Sequence, residues 1–96
     1  MEQGRGQLTD RVKAKAKELL GRDIDVTELR LMPYLQYQMM NEQRIDPAKC
    51  NGDDRKILSK WRESGHIKGG AGGLGITKEF WTIINEILFL AYVDID

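Results

Sequence analysis

Apolar residues recur at helical spacing from the start of the chain. At about 100 degrees per residue, Leu8, Val12, Ala16, Leu19 and Leu20 share one narrow stripe, while Lys13, Ala14, Lys17 and Glu18 face away. The pattern predicts a helix over Thr9 to Leu20, with Thr9 or Asp10 as N-cap and Gly21 as its stop. So thin a stripe docks a helix but cannot bury it. Before it, Met1 to Gln7 has nothing to pack and reads as a loose end. After it, Ile24 and Val26 alternate with aspartates, as in a connector or a very short strand.

In the next segment Met32, Leu35 and Met39 lie together on a helical wheel, flanked by Leu29, Leu31 and Met40, with Arg30, Tyr37 and Asn41 opposite. This is a core helix, and Thr27 is placed to cap it. Pro33 interrupts the pattern. Inside a helix proline removes a hydrogen bond and clashes with the preceding turn, at a cost of ~3 kcal/mol. The expectation is therefore a break, with one turn from Thr27 and a restart that puts Pro33 near the first helical position. The methionines read as core packing before they read as an adaptable binding surface.

Arg44-Ile45-Asp46-Pro47 is extended, because the residue before proline avoids the helical region. A short helix over Pro47 to Cys50 and the turn pair Asn51-Gly52 lead to a helix over Asp53 to Glu63, ended by Ser64-Gly65. Ile57, Leu58 and Trp61 form its inner side. Arg55, Lys56, Ser59, Lys60, Arg62 and Glu63 form an outward arc of four cations against one anion. Asp53 and Asp54 occupy the end where the helix dipole favours acids.

Six of the ten glycines lie in SGHIKGGAGGLGIT, residues 64–77, which reads as a hairpin. His66-Ile67-Lys68 and Leu74-Gly75-Ile76 are its strands and Gly69 to Gly73 its flexible tip, a pair stable only when laid on a core. Thr77 caps a last helix in which residues 80–93 hold eleven apolar positions in fourteen. Thr82, Asn85 and Glu86 mark a polar stripe, yet Phe89 and Val93 fall within it. That surplus is to be covered by the first helix or by a second copy of the chain.

Length and charge narrow the reading. The 96 residues suit one hydrophobic core, divided here into a basic N-terminal segment with its amphipathic helix, residues 1–22, and a domain over residues 23–96. Fifteen cations balance fifteen anions, so attraction to nucleic acid or an anionic membrane must come from local patches. Residues 1–22 carry Arg5, Arg11, Lys13, Lys15, Lys17 and Arg22 against Glu2, Asp10 and Glu18, a local excess of +3. A single cysteine and no signal-type apolar run point to a reducing, cytoplasmic setting, and the longest apolar run is too short to span a membrane.

Chemical motifs are few. Gly70 to Gly75 fits G-x-G-x-x-G, with Asp94 nineteen residues beyond, but no parallel strand precedes it and no sheet follows. As a phosphate loop the stretch has Ile76 where the lysine belongs. His66 and Cys50 make at most two ligands where structural zinc takes four, so no metal or other cofactor is expected. Cys50 reads as a small buried residue and His66 as a surface residue beginning a strand. Asp53-Asp54 reads as a capping pair and Asp94 with Asp96 as a solvated tail. No constellation supports an enzyme.

Helix, link, short helix, helix, glycine-rich hairpin, helix is the order of a winged helix-turn-helix. ILSKWRESGHIKGGAGGLGITKEFW resembles the third helix, wing and wing exit of regulators of the MarR and PadR type. Residues 27–96 are also similar to small enterobacterial prophage proteins, a likeness that implies no activity. The resemblance implies a mainly α, winged-helix-like fold with a small β-hairpin, preceded by an additional N-terminal helix, and DNA binding for regulation. Arg55, Lys56, Ser59 and Lys60 would then face the major groove, with Ser59 able to touch a base, and Lys68 with the Gly69 to Gly73 backbone would be the wing contact. The alternative is a module that binds and regulates a host or phage protein, or pairs as a homodimer, through Tyr37, Phe89 and Val93.

Overall fold

The computed structural model describes residues 7–93. Its elements in order are α1 (Asp10–Leu20), α2 (Val26–Asn41), a single 3-10 turn (Pro47–Lys49), α3 (Gly52–Glu63), strands β1 (Ile67–Gly70) and β2 (Gly73–Ile76), and α4 (Lys78–Leu88), which runs on as a π-helical turn, Phe89–Val93. The described residues are thus mainly helical, with one two-stranded antiparallel hairpin. Met1 to Gly6 and the acidic pair Asp94 and Asp96 lie outside the described residues.

The ends of α1 follow their residues. Thr9 Oγ1 accepts from the Val12 amide at 3.3 Å, and Gly21 closes the helix at φ 76°, a left-handed conformation natural to glycine. Val12 and Ala16 are buried against α4 and its π-helical continuation, in the same core as the rest of the chain. The basic N-terminal helix therefore packs on the body of the protein.

Of the two alternatives for Ile24 and Val26 the connector holds and the strand does not: Ile24 is buried in the link before α2, and Val26 opens the helix. Two further expectations change at α2. Asp25, not Thr27, is the cap, its carboxylate accepting from the Glu28 amide at 2.8 Å. Nor does the helix break at Pro33, which lies within a continuous Val26–Asn41 helix. Leu29, Leu31 and Met32 before the proline and Leu35 after it enter one core, so a break would pull one group away. Each such burial is worth about 1.5–3 kcal/mol, which together outweighs the ~3 kcal/mol cost of the proline. Met32 is buried and Met39 half-buried, but Met40 is exposed.

After α2 the backbone of Gln43 to Ile45 runs to the hairpin. The Leu74 amide donates to the Gln43 carbonyl and the Ile45 amide to the Gly70 carbonyl, each at 2.8 Å. In α3 the pair Asn51-Gly52 is no separating turn: Asn51 is the cap and Gly52 the first helical residue. A reciprocal box closes that end, with Asp54 N–H donating to Asn51 Oδ1 at 2.9 Å and Asn51 N–H donating to Asp54 Oδ2 at 3.1 Å.

The hairpin is longer and its tip shorter than the glycines suggest. Ile67 pairs with Ile76, Lys68 with Gly75, Gly69 with Leu74 and Gly70 with Gly73, which leaves Ala71-Gly72 as a two-residue loop. Gly69 lies at φ 75°, and a Cβ there would overlap the Gly73 carbonyl oxygen. Ile67 and Leu74 are buried, so the hairpin lies on the core as a pair of this size requires. Thr77 caps α4 as expected, accepting from the Phe80 amide at 3.1 Å. Among the described residues no helix is long and apolar enough to cross a membrane.

Candidate nucleic-acid interface

A buried polar cluster that sequence patterning does not expose ties α3 to α2, beside the apolar packing of Ile57, Leu58 and Trp61. Glu28 on α2 is 1% accessible. Arg22 holds both its oxygens, Nη1 donating to Oε1 at 2.8 Å and Nη2 to Oε2 at 2.6 Å, and Trp61 Nε1 on α3 donates to Oε2 at 2.8 Å. The charge is therefore paired and hydrogen-bonded, as burial demands. The Glu28 bond raises the pKa of Arg22. The signal was present as a tryptophan and an acid on the apolar sides of neighbouring helices, but pairing them requires the tertiary structure.

Aromatic contacts continue the cluster toward the hairpin. Trp61 and Phe80 meet edge to face at 5.2 Å, and His66 stacks on Phe80 at 4.3 Å with planes 6° apart. His66 is consequently half-buried, not a surface residue. Burial pushes its pKa below the usual 6.5, and the positive charge of Arg22 adds to the effect. Cys50 is buried as expected, and burial raises its thiol pKa. Among the described residues there is no cluster of three or more His, Cys, Asp or Glu able to hold a metal. The glycine motif lies in an antiparallel hairpin, not after a parallel strand, so it lacks the setting of a dinucleotide turn.

With Ile57, Leu58 and Trp61 buried, the opposite face of α3 is exposed. Arg55, Lys56, Ser59, Lys60 and Glu63 line an open groove of about 420 Å³ along it. Arg55 is partly committed, donating to the Pro47 carbonyl at 3.3 Å. Arg62 does not join the free set: its Nε donates to the Gly69 carbonyl at 2.6 Å and clamps the hairpin to the end of α3. Lys68 is exposed on β1. Among the described residues Lys56, Lys60 and Lys68 have no ion-pair partner.

The second predicted surface is also exposed. Phe89 is 52% and Val93 67% accessible, so α1 covers a different side of α4 from the one they occupy. Phe89 lines a groove of about 410 Å³ with Lys15 of α1 and Thr82, Asn85, Glu86 and Leu90. Tyr37, 61% accessible, and Met40, 73%, lie on α2 and do not line that groove.

Comparison with family models, curated proteins and solved structures finds no match to this chain.

Proposed function

We propose that the chain is a non-enzymatic binding module of winged-helix type that acts as a small DNA-binding regulator. The observation that carries this reading is the face of α3, where Lys56 and Lys60 are exposed beside Arg55 and Ser59 and, among the described residues, have no ion-pair partner. Cations without internal partners are available to neutralise phosphates. The order of elements supports the same reading, as do the backbone bonds that tie Gln43 and Ile45 to the hairpin. In this arrangement α3 enters the major groove, Ser59 meets a base edge, and Lys68 on the hairpin reaches the flanking phosphates.

A second reading rests on Phe89 and Val93: a large aromatic and a branched aliphatic side chain, both more than half exposed, suit a protein partner or a second copy of the chain. Asp53 at the leading end of α3 and the zero net charge favour it. A mobility-shift assay at low salt separates the two. The DNA reading expects a retarded complex that weakens in Lys56→Ala/Lys60→Ala and persists in Phe89→Ser. An absent complex, or one indifferent to the lysines, would count for the protein-binding reading.

A further inference from the structure

Away from the outer face of α3, the first half of α2 and the segment leading into α3 enclose an open cavity of about 320 Å³, lined by Thr27, Arg30, Tyr34, Lys49, Asn51 and Asp54 with an apolar wall of Val26 and Leu31. Two cations from different elements, Arg30 on α2 and Lys49 on the 3-10 turn, line it together. Both are exposed, and among the described residues neither has an ion-pair partner. Among the described residues the one carboxylate in the lining is already engaged, Asp54 Oδ2 accepting from the Asn51 amide. Two cations and one acid leave an excess of one positive charge in a concave site, together with the hydroxyl of Thr27. Among the described residues neither cationic head has a hydrogen-bond partner in the fold.

We propose that this cavity binds a phosphate group, with Arg30 and Lys49 as its ionic ligands. A guanidinium presents a planar fork matched to phosphate oxygens and an ammonium adds a point charge, so the pair supplies both direction and attraction. The volume falls at the lower end for small-ligand sites, large enough for a phosphate and a small apolar body against Val26 and Leu31. Arg55, bonded to the Pro47 carbonyl on the same turn as Lys49, offsets the carboxylate of Asp46 that caps this turn, so the balance in the cavity stays with Arg30 and Lys49. The phosphate can therefore belong to a free small molecule or to the backbone of a nucleic acid, and the chemistry of recognition is shared.

The test is a titration of the full chain with inorganic pyrophosphate, followed by amide NMR shifts, on the wild type, Arg30→Ala/Lys49→Ala and Lys56→Ala/Lys60→Ala. Saturable shifts centred on Thr27, Arg30, Lys49 and Asn51 are expected, with affinity lowered about tenfold or more in the first variant and unchanged in the second. Both changed pairs are exposed, and matching wild-type spectra elsewhere show that the variants are folded. Arg30→Lys, which keeps the charge and loses the fork, should fall between. Shifts scattered over every surface lysine, or equal affinity in wild type and Arg30→Ala/Lys49→Ala, would overturn the proposal. A short DNA duplex that displaces pyrophosphate assigns the phosphate to a nucleic-acid backbone; a duplex that binds without displacing it assigns it to a small molecule. This outcome is independent of the lysines on the outer face of α3.

Discussion

Replacing Glu28 by alanine should be among the most damaging single changes in the protein. Three hydrogen bonds end on that carboxylate, two from Arg22 and one from the Trp61 indole. Loss of the acceptor leaves a buried Trp61 N–H unsatisfied, at about 1–3 kcal/mol. The Arg22 side chain is 30% accessible, so it partly regains water and loses only about 1 kcal/mol. The space vacated by the carboxylate adds about 1 kcal/mol. The total is about 4 kcal/mol, against about 5–14 kcal/mol for a domain of this length. A fall in melting temperature of about 15–30 °C follows. Glu28→Gln keeps one oxygen but turns an amide toward a donor, and should cost about half as much. Urea unfolding of the three proteins measures the series. A cost under about 1 kcal/mol for Glu28→Ala would refute the claim that this cluster seats α3.

Pro33→Ala restores a backbone donor within α2 and should raise stability by about 1–3 kcal/mol in thermal unfolding; a loss would mean that the proline ring is itself required by the core. Gly69→Ala forces a side chain into the left-handed region and against the Gly73 carbonyl, so about 1–3 kcal/mol should be lost, with hydrogen exchange quickened in β1 and β2; unchanged exchange would show a hairpin free to shift. His66 has a folded pKa below 6.5, so as pH falls the unfolded chain takes up the proton first. Its contribution is nil at high pH and destabilising once pH passes down through about 6.5, levelling off below the folded value. Comparing urea midpoints at neutral and mildly acidic pH, His66→Gln should lose less stability than wild type; equal losses would remove His66 as the cause.

Much of the fold was legible because local chemistry and burial agree. Thr9, Gly21 and Thr77 act as the caps and stop their types suggest, and the apolar stripes of α1 and α3 are the ones that pack. Elsewhere tertiary contacts overrule a local rule. Proline breaks an isolated helix, but Leu29, Met32 and Leu35 hold α2 together across Pro33. Glycines suggest a slack tip, but the Arg62 clamp and the bonds from Gln43 and Ile45 extend the strands to Gly70 and Gly73. For the candidate site, the exposure of Arg55, Lys56, Ser59 and Lys60 followed from the helical wheel. The withdrawal of Arg62 into the hairpin, and the Glu28 cluster beneath the face, did not, since both depend on partners distant in space.

The proposed contact of the outer face of α3 and Lys68 with phosphates should show in the salt dependence of DNA binding. Arg55, Lys56, Lys60 and Lys68 making one phosphate contact each predict a slope of about −3.6 in log affinity against log salt for duplex DNA, and about −1.8 for Lys56→Ala/Lys60→Ala. Fluorescence anisotropy with a labelled duplex reads both slopes. No binding at low salt, or a slope that the two lysine substitutions leave unchanged, would show that this face does not meet phosphates.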